Sequence, residues 1–228
     1  MKDWFAGDVA ARYDADTADM PVEPVVDFLL PLAGGGALEL AIGTGRIAVP
    51  LAARGVRVAG IDLSPDMVAE LRTKSDSIPA TIGDMSTTRV DGTFSLAYIV
   101  FNSINNVTTQ DGQAAVFANA AAHLAPGGCF VVEVGTRNRR RYEVFDVSDT
   151  HVGVDEYDAD TQRLVSHHFT LRDGSWERVS IPFRAVSPAE LDLMAQLAGM
   201  RLRERWADWD RSPFTAESTK HVSVWAKP

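Results

Sequence analysis

The sequence predicts an α/β protein built on a doubly wound, mostly parallel sheet, and three observations carry that expectation. Apolar runs of strand length alternate with helix-patterned segments through residue 134. The first run, Ala37 to Ile42, breaks into Gly43-Thr44-Gly45 and restarts as an apolar helix, Ile47 to Ala53. The second run, Val56 to Ile61, ends on Asp62, seventeen residues after Gly45. Glu39 and Asp62 then lie at one edge of the sheet, where open α/β sheets bind ligands. Glycines there let a ligand approach the backbone, and the amides opening the helix form a polar, partly positive end. The pattern fits a nucleoside-like cofactor.

Each further element has its own signal. Glu23 to Leu32 reads as a helix leading into the first strand, closed by Gly34-Gly35-Gly36. Ser64-Pro65-Asp66 starts a helix to about Lys74, with serine as N-cap and proline at the first helical position. Ile78 to Gly83 is a third strand, and Phe94 to Phe101 a fourth, apolar enough to be central. Gln113 to Leu124 forms an alanine-rich helix stopped by Ala125-Pro126-Gly127-Gly128, and Cys129 to Val134 is a fifth strand. Between Glu143 and Arg184 the helical period vanishes. His151 to Tyr157, Leu164 to Leu171 and Trp176 to Phe183 are separated by turn residues and read as antiparallel hairpins. Ser187-Pro188-Ala189-Glu190 opens another helix with a capping-box pattern, ending at Gly199. Arg201 to Trp209 and Lys220 to Ala226 close the chain as an antiparallel pair at the sheet edge.

At 228 residues a single domain over 1–228 is expected, with 143–184 a β-rich insertion serving as a substrate lid or a dimer interface. A net charge of −9 argues against nucleic acid as a partner. Arg137-Asn138-Arg139-Arg140-Arg141, the one dense basic patch, reads as a solvated segment. No run is long enough to cross a bilayer, Met1-Lys2-Asp3-Trp4 does not begin a signal peptide, and the one cysteine, Cys129, falls in an apolar strand as packing. These features predict a cytoplasmic protein whose partners are a small-molecule substrate and, for the insertion, a second copy in a homodimer.

Two cofactor classes compete for the glycine loop. Gly43-Thr44-Gly45-Arg46-Ile47-Ala48 satisfies the loose dinucleotide pattern, and Asp62 stands near the place of a ribose-binding acid. Glu39 shifts the balance, because a buried carboxylate needs a hydrogen-bond or cationic partner. S-adenosylmethionine (SAM) offers a sulfonium and an ammonium, whereas the pyrophosphate of NAD prefers no nearby acid. A glutamate satisfied by backbone amides is compatible with either ligand.

Four segments, Glu39-Leu40-Ala41-Ile42-Gly43-Thr44-Gly45, Gly60-Ile61-Asp62-Leu63-Ser64-Pro65-Asp66-Met67, Gly83-Asp84-Met85 and Leu124-Ala125-Pro126-Gly127-Gly128, together resemble the class I SAM-dependent methyltransferase family over nearly the whole chain. Ala41 departs from the family's Glu-x-Gly-x-Gly-x-Gly by replacing its leading glycine, and alanine is small enough for a strand end. The resemblance implies a Rossmann-like seven-stranded sheet with an antiparallel last strand. It implies SAM as methyl donor, with S-adenosylhomocysteine as product. Tyr13-Asp14 and the strand-rich insertion look like those of small-molecule members, including the aminosugar N-methyltransferases.

By the same resemblance Gly43, Thr44 and Gly45 pass beneath the methionine part, with Glu39 and Ala41 shaping the loop. Asp62 accepts from both ribose hydroxyls, a pairing suited to two carboxylate oxygens. Leu63 and Met67 flank the adenine, Asp84 accepts from its amino group, and Met85 offers an amide. Phe101 and Asn102 line the methionine side. Each of these residues also has a plain packing or turn role open to it.

Methyl transfer from a sulfonium to oxygen, nitrogen or carbon of a small molecule is an in-line displacement, and alignment can supply roughly 7–11 kcal/mol of its acceleration. A base is needed only if the acceptor must lose a proton early. His167, His168 and Tyr13 are the candidates. Adjacent strand residues face opposite ways, so one histidine of the pair is expected at a pocket. Asn105 and Asn106, after the fourth strand, stand where substrate enters. The absence of an Asn-Pro-Pro-Tyr run there counts against nucleic-acid methylation, and no ligand spacing suggests a metal. Trp206, Trp209 and Phe214 read as packing of the last hairpin. The remaining alternatives are an NAD-dependent oxidoreductase, which would need a Tyr-x-x-x-Lys or similar set that the sequence lacks, and a non-catalytic SAM-binding protein.

Overall fold

The computed structural model describes residues 3–136 and 141–228. Most of the basic patch, 137–140, and the first two residues of the Met1–Trp4 reading lie outside the described residues.

Seven strands form one sheet in the order β10-β11-β5-β4-β1-β2-β3. Here β1 is Ala37–Leu40, β2 Val58–Asp62, β3 Ala80–Ile82, β4 Phe94–Ile99 and β5 Leu124–Gly135; β10 is Arg201–Trp206 and β11 Lys220–Ala226. The first five are parallel, and β11 runs antiparallel to both β5 and β10. The expected parallel core and antiparallel edge pair are therefore present. Side-chain alternation splits the interior in two. Leu38, Leu40, Ala97, Ile99, Phe130 and Val132 pack on α5 (Gln110–His123) and α6 (Pro188–Leu197). Ala37, Leu96, Tyr98 and Val131 pack on α2 (Glu23–Leu29), α3 (Ala48–Ala53) and α4 (Pro65–Lys74).

Helix ends follow local chemistry. Ser64 Oγ accepts from the Met67 amide at 3.3 Å, the expected N-cap of α4. α5 starts a turn earlier than expected because Thr109 Oγ1 accepts from the Gly112 amide at 3.1 Å. At α6, Ser187 Oγ accepts from the Glu190 amide at 3.2 Å, yet Glu190 does not complete a capping box. Its carboxylate instead meets the Arg184 guanidinium at 2.6 Å, a stronger charge-assisted partner.

Three more findings differ from the sequence reading. Residues 8–16 form a helix, α1 (Asp8–Asp16), where only the Tyr13-Asp14 pair had been singled out. Ala125-Pro126-Gly127-Gly128 does not lie outside the sheet. It is an irregular start of β5, held by hydrogen bonds between Gly127 N and Lys227 O and between Lys227 N and Gly128 O. The insertion also holds four strands rather than three: β6 (Tyr142–Val147), β7 (His151–Tyr157), β8 (Arg163–Arg172) and β9 (Ser175–Arg184), an antiparallel sheet in that order. Cys129 is buried as packing, and Trp209 meets Phe28 edge-on at 5.3 Å. Among the described residues no helix is long and apolar enough to cross a membrane.

Candidate active site

A cavity of about 890 Å³ opens at the carboxyl ends of β1, β2 and β4, covered by α1 on one side and by the antiparallel sheet on another. Its walls bring together Tyr13, Glu39, Ala41, Gly43, Thr44, Asp62, Leu63, Met67, Asp84, Met85, Phe101, Asn102, Asn106 and His168, residues singled out above from widely separated segments.

Glu39 is almost wholly buried and takes hydrogen bonds from the Tyr98 hydroxyl at 2.9 Å and from the Ala48 amide. Burial pushes its carboxyl up to about 8, against the pull of those bonds and of Arg46. A buried carboxyl so poised on a cavity wall suits a cationic group. Asp62 ends β2 and accepts from the Gly43 amide at 2.6 Å and the Ser64 amide at 2.8 Å, one on each oxygen. Burial raises its pKa despite these bonds. The Leu63 amide adds a third bond, and the carboxylate keeps acceptor capacity for a hydroxyl donor from the cavity.

The glycine loop is built from left-handed residues. Gly43 and Gly45 have φ of 55° and 78°, and a Cβ on Gly45 would collide with Leu71. Gly45 faces that packing rather than the cavity wall, so its role is to turn the loop. Ala41 also has a positive φ, 63°, and lies just past the end of β1. The expectation that alanine simply fits a strand end is thus corrected: the position takes the conformation glycine prefers. At the end of β4, Phe101 (φ 53°) and Asn102 (φ 61°) are left-handed in succession. They are fixed by Glu133, which accepts from the Phe101 amide at 2.9 Å, and by Asn102 Oδ1, which accepts from the Gly135 amide at 2.6 Å. Such strain gathers where surrounding structure aims a backbone at a ligand.

α1 is latched over this loop. Asp14 accepts from Thr44 Oγ1 and from Lys74 Nζ, each at 2.5 Å, and the Gly7 amide donates to Asp66 at 2.7 Å. Tyr13 is thereby held in the cavity wall. Burial raises its pKa, and the charge of Arg46 opposes that while Glu39 and Asp62 add to it. Asp84 caps its own turn through Ser86, whose amide donates at 2.8 Å.

Besides Gly45, two more expected site residues lie off the cavity wall. His167 is on the outer face of the antiparallel sheet, with Nδ1 2.8 Å from Ser180 Oγ and Nε2 3.5 Å from Glu156, because strand alternation gives the cavity to His168. Asn105 is buried behind the wall, and its Oδ1 has no partner among the described residues; Asn106 takes the cavity position. Sequence reasoning missed Asp146, His151 and Arg172, which reach the same wall from β6, β7 and β8. It also gave no role to Arg46, whose guanidinium lies 5.9 Å from the Phe101 ring centroid. Arg46 stood inside the glycine motif and was the one of these with a readable signal. No group of three or more His, Cys, Asp or Glu side chains placed to hold a metal occurs among the described residues.

The structure of the CcbJ methyltransferase from Streptomyces caelestis superimposes with a TM-score of 0.83, at 31% identity, over 94% of this chain and 96% of that one. The chain belongs to the class I SAM-dependent methyltransferase family. The family model for a methyltransferase domain matches residues 37–128 of this methyltransferase, from β1 to the start of β5. Its cofactor is SAM, and the acidic, glycine-lined wall fits that cation's ammonium and ribose by the chemistry just described. Among curated relatives, the dTDP-3-amino-3,4,6-trideoxy-alpha-D-glucopyranose N,N-dimethyltransferase of Streptomyces venezuelae is 29% identical over 67% of this chain. The match spans 62% of that relative's own length. SAM-bound CalS10, an amino pentose methyltransferase from Micromonospora echinaspora, shares the fold with a TM-score of 0.68, at 20% identity and full coverage of both chains.

Proposed function

We propose that this methyltransferase moves the methyl group of SAM to a nitrogen of a small, amine-bearing molecule of the amino-sugar class. The observation that carries the reading is the shared cavity: the glycine loop, Glu39 and Asp62 form its cofactor wall, and His168 faces the same space from the antiparallel sheet. SAM supplies an electrophilic methyl carbon with a good leaving group. Alignment of the acceptor nitrogen behind that carbon, for in-line displacement, is then the main work of the protein. Tyr13 closes over the cofactor, Asn102 and Asn106 stand between cofactor and acceptor, and His168 takes the proton that an ammonium must lose before it can attack. The curated relative named as an amino-sugar N,N-dimethyltransferase supports nitrogen over oxygen or carbon as acceptor. The insertion is both lid and interface: its inner face walls the acceptor, and its outer face joins a second copy.

The test is transfer of radiolabelled methyl from SAM to a panel of nucleotide-linked amino sugars, alongside the matching hydroxy sugars, with calorimetric titration of SAM, S-adenosylhomocysteine and NAD. Label on the amines alone supports the reading. Label on the hydroxy sugars moves the acceptor atom to oxygen. Tight SAM binding without transfer to any acceptor favours a non-catalytic SAM-binding protein, and binding of NAD alone overturns the cofactor.

A further inference from the structure

The antiparallel sheet carries a side-chain array that the cofactor wall does not use. β6 and β7 pair Val144 with Val154, and a bulge then makes Asp146 the partner of Gly153. Without the extra residue, strand alternation would turn Asp146 to the outer face. The bulge turns it to the cavity. There Asp146 Oδ2 lies 2.6 Å from His151 Nδ1, and His151 Nε2 lies 3.1 Å from His168 Nδ1. Gly153 stands directly opposite His168, and its missing side chain leaves space for the bulged Phe145, with which a Cβ would collide. The Phe145 ring packs edge-on against His168 with centroids 5.4 Å apart. All three polar residues of the array line the cavity.

The proton inventory follows from the donors available. An ionised carboxylate only accepts, so His151 carries a proton on Nδ1, and in its neutral form it offers a bare Nε2. His168 must then donate from Nδ1, which leaves its Nε2 lone pair without a hydrogen-bond partner among the described residues. We infer that Asp146 and His151 are positioning residues that hold His168 as a neutral base for a protonated amine and lead the proton out of the cavity. The inference rests on the amine-methylation reading above.

An acceptor ammonium has no lone pair. It gives one proton to His168 Nε2, and the freed pair forms the N–C bond as the methyl C–S bond breaks and its electrons return to sulfur. His168 passes its Nδ1 proton to His151 Nε2, His151 passes its Nδ1 proton to Asp146, and Asp146, whose side chain is 52% exposed, yields it to water. One proton enters the array and one leaves; both rings are left protonated on Nε2, and proton exchange with water restores the Nδ1 tautomers, while the methylated nitrogen keeps the positive charge.

The surroundings keep His168 neutral. Burial lowers its pKa first and the nearby His151 adds to that, against Asp155 and Asp146, which raise it; His167, its neighbour on the strand, lowers it slightly. Asp155 is held by the Ser166 hydroxyl. On β9 the residue opposite is Val179, with Glu177 two pairs further along on the same face, and Arg172 and, from α1, Arg12 and Asp16 complete the charged wall.

The test reads tautomers rather than turnover. The full chain, labelled with ¹⁵N-histidine and saturated with S-adenosylhomocysteine, is examined by long-range ¹H–¹⁵N NMR from pH 5.5 to 9. At pH 7.5 His168 is expected neutral with its proton on Nδ1, and His151 is expected to carry a proton on Nδ1, towards Asp146. His151→Phe should move the His168 proton to Nε2, whereas His151→Gln, which keeps an acceptor oxygen, should hold it on Nδ1. Asp146→Ala, which removes the acceptor, should abolish the fixed tautomer of His151. A wild-type His168 protonated on Nε2, or one unchanged by His151→Phe, overturns the array. Calorimetry on the same samples separates this from failure of the cofactor reading, because loss of S-adenosylhomocysteine binding by the wild type would strike the latter alone.

Discussion

Glu39 is a carboxyl group buried on a cavity wall that suits a cation, so its protonation would be thermodynamically linked to a cationic ligand there. With a pKa near 8 it is mostly protonated at pH 7, and a cofactor ammonium beside it favours the ionised form. SAM binding should therefore release close to one proton, and affinity should rise by up to about tenfold per pH unit between pH 6 and 7. Calorimetry in buffers of different ionisation enthalpy reads the release directly. In Glu39→Gln the buffer dependence should vanish, and its persistence would refute the linkage. The same shift has the opposite sign for folding. The native state holds a proton that the unfolded chain loses, so Glu39's contribution to the stability of the cofactor-free protein falls as pH rises from 4.5 towards about 8. A second expectation concerns Ala41, whose left-handed backbone costs roughly 1–2 kcal/mol. Ala41→Gly relieves that cost, less about 0.4–1 kcal/mol for the freer unfolded chain. A net gain of about 0.5–1 kcal/mol should raise Tm by roughly 1–4 °C in a thermal melt. At this scale the cavity wall was legible, because Glu39, Gly43 and Asp62 sit within a few residues of strand ends that local pattern reveals. His151 and Asp146 were not. Their approach to His168 depends on a strand register and a bulge, and neither leaves a signature in a single sequence.

Strands and helices show the same division. α4 begins and ends where its serine cap and proline place it, since capping is local chemistry. α1 escaped notice because it has no side-chain cap and only Ala10 fully buried; its position comes from Asp14 bonding to Thr44 and Lys74. β6 escaped because five of its six residues are exposed, four of them in succession through the bulge, so alternation is lost. The element with the most concentrated tether is β9. Its last residue, Arg184, is nearly buried and donates to Gln113, Gln162 and Glu190, while Gln110 and Gln162 also donate to Glu190. This network binds the antiparallel sheet to α5 and α6. Arg184→Ala would strand the Glu190 carboxylate and should cost about 3–5 kcal/mol, seen as a fall in the urea midpoint. Burial pushes Glu190 up, but the bonds from Arg184 and Gln162 outweigh it and leave its pKa low. A depressed carboxylate contributes stability above its unfolded pKa, near 4.3, that is lost as pH falls through the folded value. The gap between wild type and Arg184→Ala should therefore narrow below about pH 4. A constant gap down to pH 2 would mean that the guanidinium acts through packing alone.

For the molecule as a whole, the antiparallel sheet is a single layer with a cavity on one side and water on the other. Its outer face presents Tyr142, Val144, Val147 and Trp176, each more than half exposed, and Val152, Val154 and Leu171 lie on the same face. Contiguous apolar surface of this kind is rare on monomers and marks an interaction site. A two-fold partner would bring the same patch against itself, the self-complementary arrangement of most homodimers. Sedimentation at micromolar concentration should give twice the chain mass, and Val147→Lys combined with Trp176→Glu should give the monomer. A wild type that sediments as a monomer would rule the interface out. Such a pairing would also bear on the site, because Phe145, Asp146 and His151 stand on the two strands farthest from the Arg184 tether. Without a partner, those strands lack packing on their outer face and should open more readily than the parallel core. Hydrogen exchange on the monomeric variant should therefore quicken in β6 and β7 while β1, β4 and β5 keep their protection. If exchange quickened equally in both sheets, the substitutions would have destabilised the whole fold rather than uncovered one face.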